Sequence, residues 1–276
     1  MKELDIMQIA FSGRLGSGKS TVCAILSEKY GYEIYSTGTV QRKAAEEMGI
    51  STLELNKRME KDPTLDYIID DTVAKLSREK AGENIVYDSR MAWHFAENTF
   101  KVYMYVDPTV AAKRVFAADR GAVEKYSSVE DAYNNLIERG NNENKRFKMI
   151  YKVDNYDYNN YNLIIDSTSA TPEQIAEAII EAANEFERTP FSTTRIKISP
   201  YVIYPTKPLG TDDGEEIEIA LLNGKHYCVS GHSKLAALQL CGATFASAKL
   251  VSADVNENAE YISQYEASAS FKYGSL

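Results

Sequence analysis

Over its first two-thirds the chain alternates short apolar runs with amphipathic stretches. Residues 6–13, "IMQIAFSG", form an apolar run that ends in a glycine turn. Residues 19–30 carry a helical pattern, and "YEIYST" follows as a strand. Ser51-Thr-Leu-Glu54 has the form of a capping box, in which two side chains satisfy each other's orphan N–H groups at a helix start. A helix is predicted over 63–80, then strands in "NIVYDS" and "FKVYMYVD". Pro108 stands where a first-turn proline opens a helix. Ser128-Val-Glu-Asp131 starts a long polar helix, "YNLIID" is a strand ending at Asp166, and Thr171-Pro-Glu-Gln174 opens a helix to about residue 186. Strands separated by helices predict an α/β fold, a parallel sheet with helices on both faces.

The pattern changes at residue 187. "ERTPFSTTR" is polar and threonine-rich with a proline inside it, which predicts a domain boundary. We therefore divide the chain at 188/189, with 189–276 as a small α+β unit. Within it, "IEIALL" and "KHYCVS" flank Asn223-Gly224, the dipeptide that most strongly signals a two-residue hairpin. A helix over 233–240 is stopped by Gly242, "TFASAKLV" is a further strand, and the tail from Asp254 is expected to be a polar helical extension.

Composition narrows the function classes. The 276 residues are 44% hydrophobic and 26% charged, with a formal net charge of −9. No apolar run approaches the ~20 residues of a membrane span, and the N-terminal stretch lacks a secretory signal pattern. The three cysteines, Cys23, Cys228 and Cys241, have spacings of neither a disulfide framework nor a metal site. A cytoplasmic protein is expected, with no membrane and no DNA partner; its oligomeric state is left open. From Phe191 onward seven Lys/Arg face nine Asp/Glu, the opposite of a nucleic-acid footprint.

The chemistry starts at Gly13-Arg-Leu-Gly-Ser-Gly-Lys-Ser20. It lies between a strand and a helix and matches G-x-x-x-x-G-K-[ST], a loop whose backbone N–H groups wrap a triphosphate. Gly13, Arg14, Gly16, Ser17, Gly18, Lys19, Ser20 and Thr21 are the expected ATP-binding residues. Lys19 would reach the β- and γ-phosphates, and the Ser20 hydroxyl would ligate Mg²⁺. In "STGTVQR", Ser36 and Arg42 flank the start of a helix. In "YDSR", Asp88 ends a strand where open α/β sheets bind ligands, placed to hold the metal's water shell beside Arg90, a fork for phosphate. Arg114, Arg120, Arg139 and Arg146 add positive charge of the kind phosphoryl transfer uses. Arg139 and Arg146 are two helical turns apart with Glu143 midway. His94 and His226 are read as structural, the tyrosine-rich stretch 151–162 as a connector packed on the core, and Asp66 and Asp70 as solvated helix acids.

Taken together, "GRLGSGKST", "YSTGTVQR", "DSRMAWHF", the Arg139/Glu143/Arg146 spacing and "YNLIIDSTSATPEQI" resemble the cytidylate kinases of the P-loop nucleoside monophosphate kinase family. The resemblance implies ATP and Mg²⁺ as cofactors and a nucleoside monophosphate as substrate. It places Ser36, Arg42 and Arg90 on the acceptor, and Lys19, Arg139 and Arg146 on the phosphates; with Asp88 at the metal, these are the expected catalytic residues. A kinase of another small or modified-nucleotide acceptor, or a nucleotide-gated binding protein, is the alternative.

The stretch 189–276 resembles the ParB/sulfiredoxin-like domain through "SPYVIYPTKP" and "VSGHSKLAAL". That resemblance implies a second anion loop at Gly231, His232, Ser233 and Lys234, taking a second nucleotide.

Overall fold

The computed structural model describes residues 7–50, 54–55, 58, 66–118, 126–210, 214–255 and 262. The elements run β1 Ile9–Gly13, α1 Lys19–Tyr30, β2 Glu33–Ser36, α2 Thr37–Glu47, α3 Asp66–Glu79, β3 Ile85–Asp88, α4 Ala92–Phe95, β4 Phe100–Tyr105, α5 Pro108–Ala117 and α6 Val129–Tyr151. They continue through β5 Leu163–Asp166, α7 Pro172–Arg188, β6 Arg195–Ile198, β7 Ile203–Pro205, β8 Ile217–Leu222, β9 Lys225–Ser230, α8 His232–Leu240 and β10 Ala246–Leu250. The Ser51–Glu54 capping box, Arg120, the first residues of the helix expected over 63–80 and most of the tail after Asp254 fall outside the described residues.

Helix starts follow the local chemistry. The Asp107 carboxylate accepts from the N–H groups of Thr109 and Val110, with Pro108 in the first turn of α5. Ser128 accepts from Asp131 N–H at the start of α6. Thr171 and Gln174 close a reciprocal capping box on α7. Such caps supply partners to N–H groups that a helix cannot satisfy internally.

The described strands lie in one sheet, in the order β2-β3-β1-β4-β5-β6-β10-β8-β9-β7. From β2 to β6 every pairing is parallel. One apolar layer, including Phe11, Leu26, Met104 and Ile179, packs α1 and α7 on the sheet. A second includes Ala10, Tyr87, Trp93 and Tyr103 and continues without a break into Ile196, Ile217, Cys228 and Leu235. The α/β architecture with a mostly parallel central sheet is as expected.

What the linker composition did not reveal is that sheet and core cross residue 188. The strand after the linker pairs in parallel with β5, Ile164 opposite Ile196. Arg195 N–H donates to Asn162 O (2.9 Å), and Ser199 N–H donates to the Asp166 carboxylate (3.0 Å). Thr194 Oγ1 donates to the carbonyls of Tyr158 and Tyr161. An edge left open at β5 would expose a row of unpaired N–H and C=O groups; β6 satisfies them.

Candidate active site

β1 delivers the glycine loop to the carboxyl end of the sheet, and Gly18, with φ 88°, caps α1. The Ser17 side chain is buried and its hydroxyl has no hydrogen-bond partner. A buried hydroxyl without a partner costs free energy. Ser20 and Thr21 are exposed at the helix start.

The parallel register brings the other residues to the same edge. Ser36 and Asp88 are direct partners across β2 and β3. Lys19 and Asp88 form an ion pair, both about 15% exposed. Ser12 Oγ donates to Arg90 O (3.2 Å), fixing the turn after β3 against β1. The Arg90 guanidinium donates to Gly13 O through Nη1 and meets the Glu143 carboxylate through Nε at 3.2 Å. The other Glu143 oxygen lies 3.4 Å from Arg139 Nε. Glu143 thus ties two cations from different elements to one point above the loop.

Helix α6 is itself anchored. Asn144 donates to Asp154 (2.8 Å) and accepts from Asn155 N–H, and Trp93 Nε1 donates to Asn155 Oδ1 (2.7 Å). Lys148 pairs with Asp154, whose pKa lies below its ordinary value: burial raises it, but the bonds from Lys148, Asn144 and the Tyr156 N–H together outweigh that. Tyr156 Oη abuts Gly140, where a Cβ would come within 2.6 Å. A residue with a side chain there would have to displace the Tyr156 hydroxyl.

Ser36 caps α2, accepting from Thr39 N–H (3.3 Å), and Arg42 donates to Thr39 Oγ1 (3.1 Å). These two residues form a second cluster at the start of α2. Arg146 lies over the Phe147 ring, 5.6 Å from its centroid.

Two sequence readings change. Asp70, expected as a solvated helix acid, is buried and accepts from Tyr151 Oη. Arg114, expected among the mobile charges, is fixed on the carbonyls of Ser167 (2.7 Å) and Thr168 (3.1 Å) just after β5. His226 is a strand residue as expected, but wholly buried, with Tyr158 Oη 2.9 Å from Nε2. Sequence reasoning missed Tyr156, Asn144 and Asn155. For Tyr156 and Asn155 the signal was the unusual "DNYDYNNYN" composition, which marks polar groups that need partners inside the fold. In the 189–276 unit, Gly231 caps α8 with φ 82°, His232 is buried and accepts from Thr206 N–H through Nε2 (3.2 Å), and Lys234 donates to Glu215 O (3.1 Å).

A glycine phosphate loop at the carboxyl end of a parallel sheet, faced by a lysine–aspartate pair and by Arg90, with Arg139 held beside it through Glu143, defines a P-loop nucleotide kinase. Residues 8–169 match the Cytidylate kinase-like family, and the chain belongs to it. It is 35% identical to a cytidylate kinase of Natronomonas pharaonis, over 65% of this chain and 91% of that protein. It is 31% identical to a cytidylate kinase of Thermoplasma volcanium, over 69% of this chain and 98% of that protein. Among solved structures, an uncharacterized protein from Eubacterium ventriosum matches 64% of this chain and 98% of its own with a TM-score of 0.50 at 18% identity, a likeness of fold.

Proposed function

We propose that the chain transfers the γ-phosphoryl group of ATP to CMP or dCMP, giving the diphosphate. The observation that carries this reading is the convergence of Lys19, Asp88, Arg90 and the Glu143-held Arg139 on the mouth of the phosphate loop. The attacking group is an oxygen of the acceptor's own phosphate, so no side-chain nucleophile is required. Catalysis is then positioning plus charge stabilisation.

The loop N–H groups and Ser17 would receive the triphosphate, and Lys19 would leave Asp88 for the β- and γ-phosphates. Arg90 would turn from Glu143 to the acceptor phosphate, with Ser36 and Arg42 holding the acceptor from α2. Arg139 and Arg146 would close over the transferring group and exclude water. The Ser20 hydroxyl and the Asp88 carboxylate are the hard oxygen donors that Mg²⁺ takes, alongside waters and phosphate oxygens. When bound, Mg²⁺ would supply positive charge that offsets the charge of the triphosphate.

The division of labour at 188/189 belongs to the same reading, with 1–188 as the kinase unit and 189–276 as a ParB/sulfiredoxin-like unit whose loop Gly231–Lys234 takes a second nucleotide. It is supported by the glycine-capped start of α8 and the Lys234 ammonium beside it. Calorimetry on the full chain with CTP, CDP, ATP and ADP tests it: a second binding event lost in Lys234→Ala supports the loop, and an unchanged isotherm removes it.

For the activity itself, purified protein with ATP, Mg²⁺ and a panel of nucleoside monophosphates should consume ATP fastest with a cytidine nucleotide. Turnover that no monophosphate stimulates sinks the proposal.

A further inference from the structure

Arg14 is the first variable residue of the phosphate loop, yet its side chain does not turn into the loop. Its backbone closes the loop onto the sheet: Arg14 N–H donates to Met104 O (2.9 Å), and Ser17 N–H donates to Arg14 O (3.3 Å). Its guanidinium runs the other way, across the face of Tyr105 with Cζ 4.4 Å from the ring centroid. Nη1 donates to Val106 O (3.4 Å), and Nη2 donates to Gly224 O (3.5 Å), a residue 210 positions later in the turn between β8 and β9.

That turn is built to meet the arginine. Gly224 has φ +76°, and a Cβ there would stand 3.1 Å from Arg14 Nη2. Two residues on, the His226 ring packs edge-on against Tyr105 at 4.7 Å and lies 2.9 Å from Tyr158 Oη through Nε2. Tyr105 therefore carries Arg14 on one contact and the hairpin's histidine on another. A guanidinium removed from bulk water needs acceptors and a polarisable face; here the hairpin supplies one of the two acceptors and braces the face.

We propose that the β8–β9 hairpin is a working part of the nucleotide site, with Arg14 as a positioning residue. The Gly224 carbonyl and the Tyr105–His226 pair hold the Arg14 side chain, and Arg14 in turn holds the phosphate loop in its nucleotide-accepting form. The 189–276 unit thus acts on phosphate binding through side-chain contact with the first residue after Gly13. The inference rests on the reading of residues 13–20 as the triphosphate loop.

The test uses the full chain, titrated with ADP, and follows the KM values for ATP and acceptor. Arg14→Met keeps the stem over Tyr105 and removes both donors. Gly224→Asn tolerates the positive φ but places a side chain against Nη2. Each variant should weaken ADP and raise the ATP KM about five- to tenfold, as loss of a charged hydrogen bond does, while the acceptor KM stays within about twofold. Arg14→Lys should fall between wild type and Arg14→Met. The double variant should be no worse than Arg14→Met alone, because both changes break one path. Should either single variant fail to fold, the other, together with Arg14→Lys, carries the same readout. Unchanged ADP affinity, multiplying effects in the double variant, or an equal rise in both KM values overturns the inference while the triphosphate loop stands. Wild-type protein that binds no ADP overturns both.

Discussion

Arg90 and Glu143 meet at 3.2 Å across the mouth of the phosphate loop, and the same guanidinium donates to the carbonyl of Gly13. One arginine therefore joins the glycine loop to α6, and the joint uses the cation proposed above for the acceptor phosphate. In this arrangement Glu143 stands in for an anion. On the proposed reading, a phosphate arriving at Arg90 would have to displace it.

Glu143→Gln should for that reason lower the acceptor KM. Both partners are about a quarter exposed, so the pair is worth at most about 1 kcal/mol, or about fivefold in affinity. Because the pair is partly screened, the gain should shrink at high ionic strength. Steady-state kinetics at two salt concentrations decide the matter; an unchanged or raised KM shows that Glu143 orients Arg90 and does not compete for it.

Lys19→Met should reduce kcat by about 10²–10³ or more, the range seen when one charge-stabilising donor is removed, with the thermal midpoint little altered. The fold depends little on Lys19, whose side chain lies at the mouth of the site, where its ion pair among the described residues is with Asp88. A large loss of stability together with activity would show that the Lys19–Asp88 pair is structural.

Arg90→Ala should act chiefly on the acceptor. Its KM should rise about tenfold or more, as for a lost charged hydrogen bond to phosphate, and by more than that of ATP. Comparable changes in both KM values would place Arg90 on the donor side, through its bond to Gly13 O.

Acid should destabilise the protein through His226. Burial, with Arg14 nearby, lowers its pKa from 6.5 to about 3. Below pH 6.5 the unfolded chain takes up a proton that the folded one refuses, so this contribution to stability falls with pH until about 3. Asp166 works in the opposite sense: burial raises its pKa from 3.8 to about 6, so the folded chain holds the extra proton between those values. The histidine shift is the larger and covers the wider window, so the two together favour loss of stability on acidification. His226→Phe removes the histidine contribution. Denaturant titrations of both proteins should show the wild type's stability, relative to the variant, falling by about 3 kcal/mol between pH 7 and 4. A difference independent of pH would mean that His226 is protonated in the folded state.

The sequence by itself determined the parts whose chemistry is local. The glycine loop, the caps at Asp107, Ser128 and Thr171, and the Asn223-Gly224 hairpin depend on residues within a few positions of one another, so their spelling is their geometry. The motif also named Lys19, and the strand end named Asp88. Tertiary structure decided what depends on distance along the chain. Asp70, spaced like a solvated helix acid, is buried because Tyr151, 81 residues away, folds over it. Glu143 had meaning as a midpoint between two arginines, but its pairing with Arg90 follows from how α6 crosses the loop. The polar linker at 187–195 read as a boundary because composition reports solvent exposure along a segment. It cannot report that the strand beginning at Arg195 completes the open edge of β5. Backbone hydrogen bonds carry no sequence label, and so the continuity of the sheet, with the Arg14–Gly224 contact it makes possible, exists only in the fold.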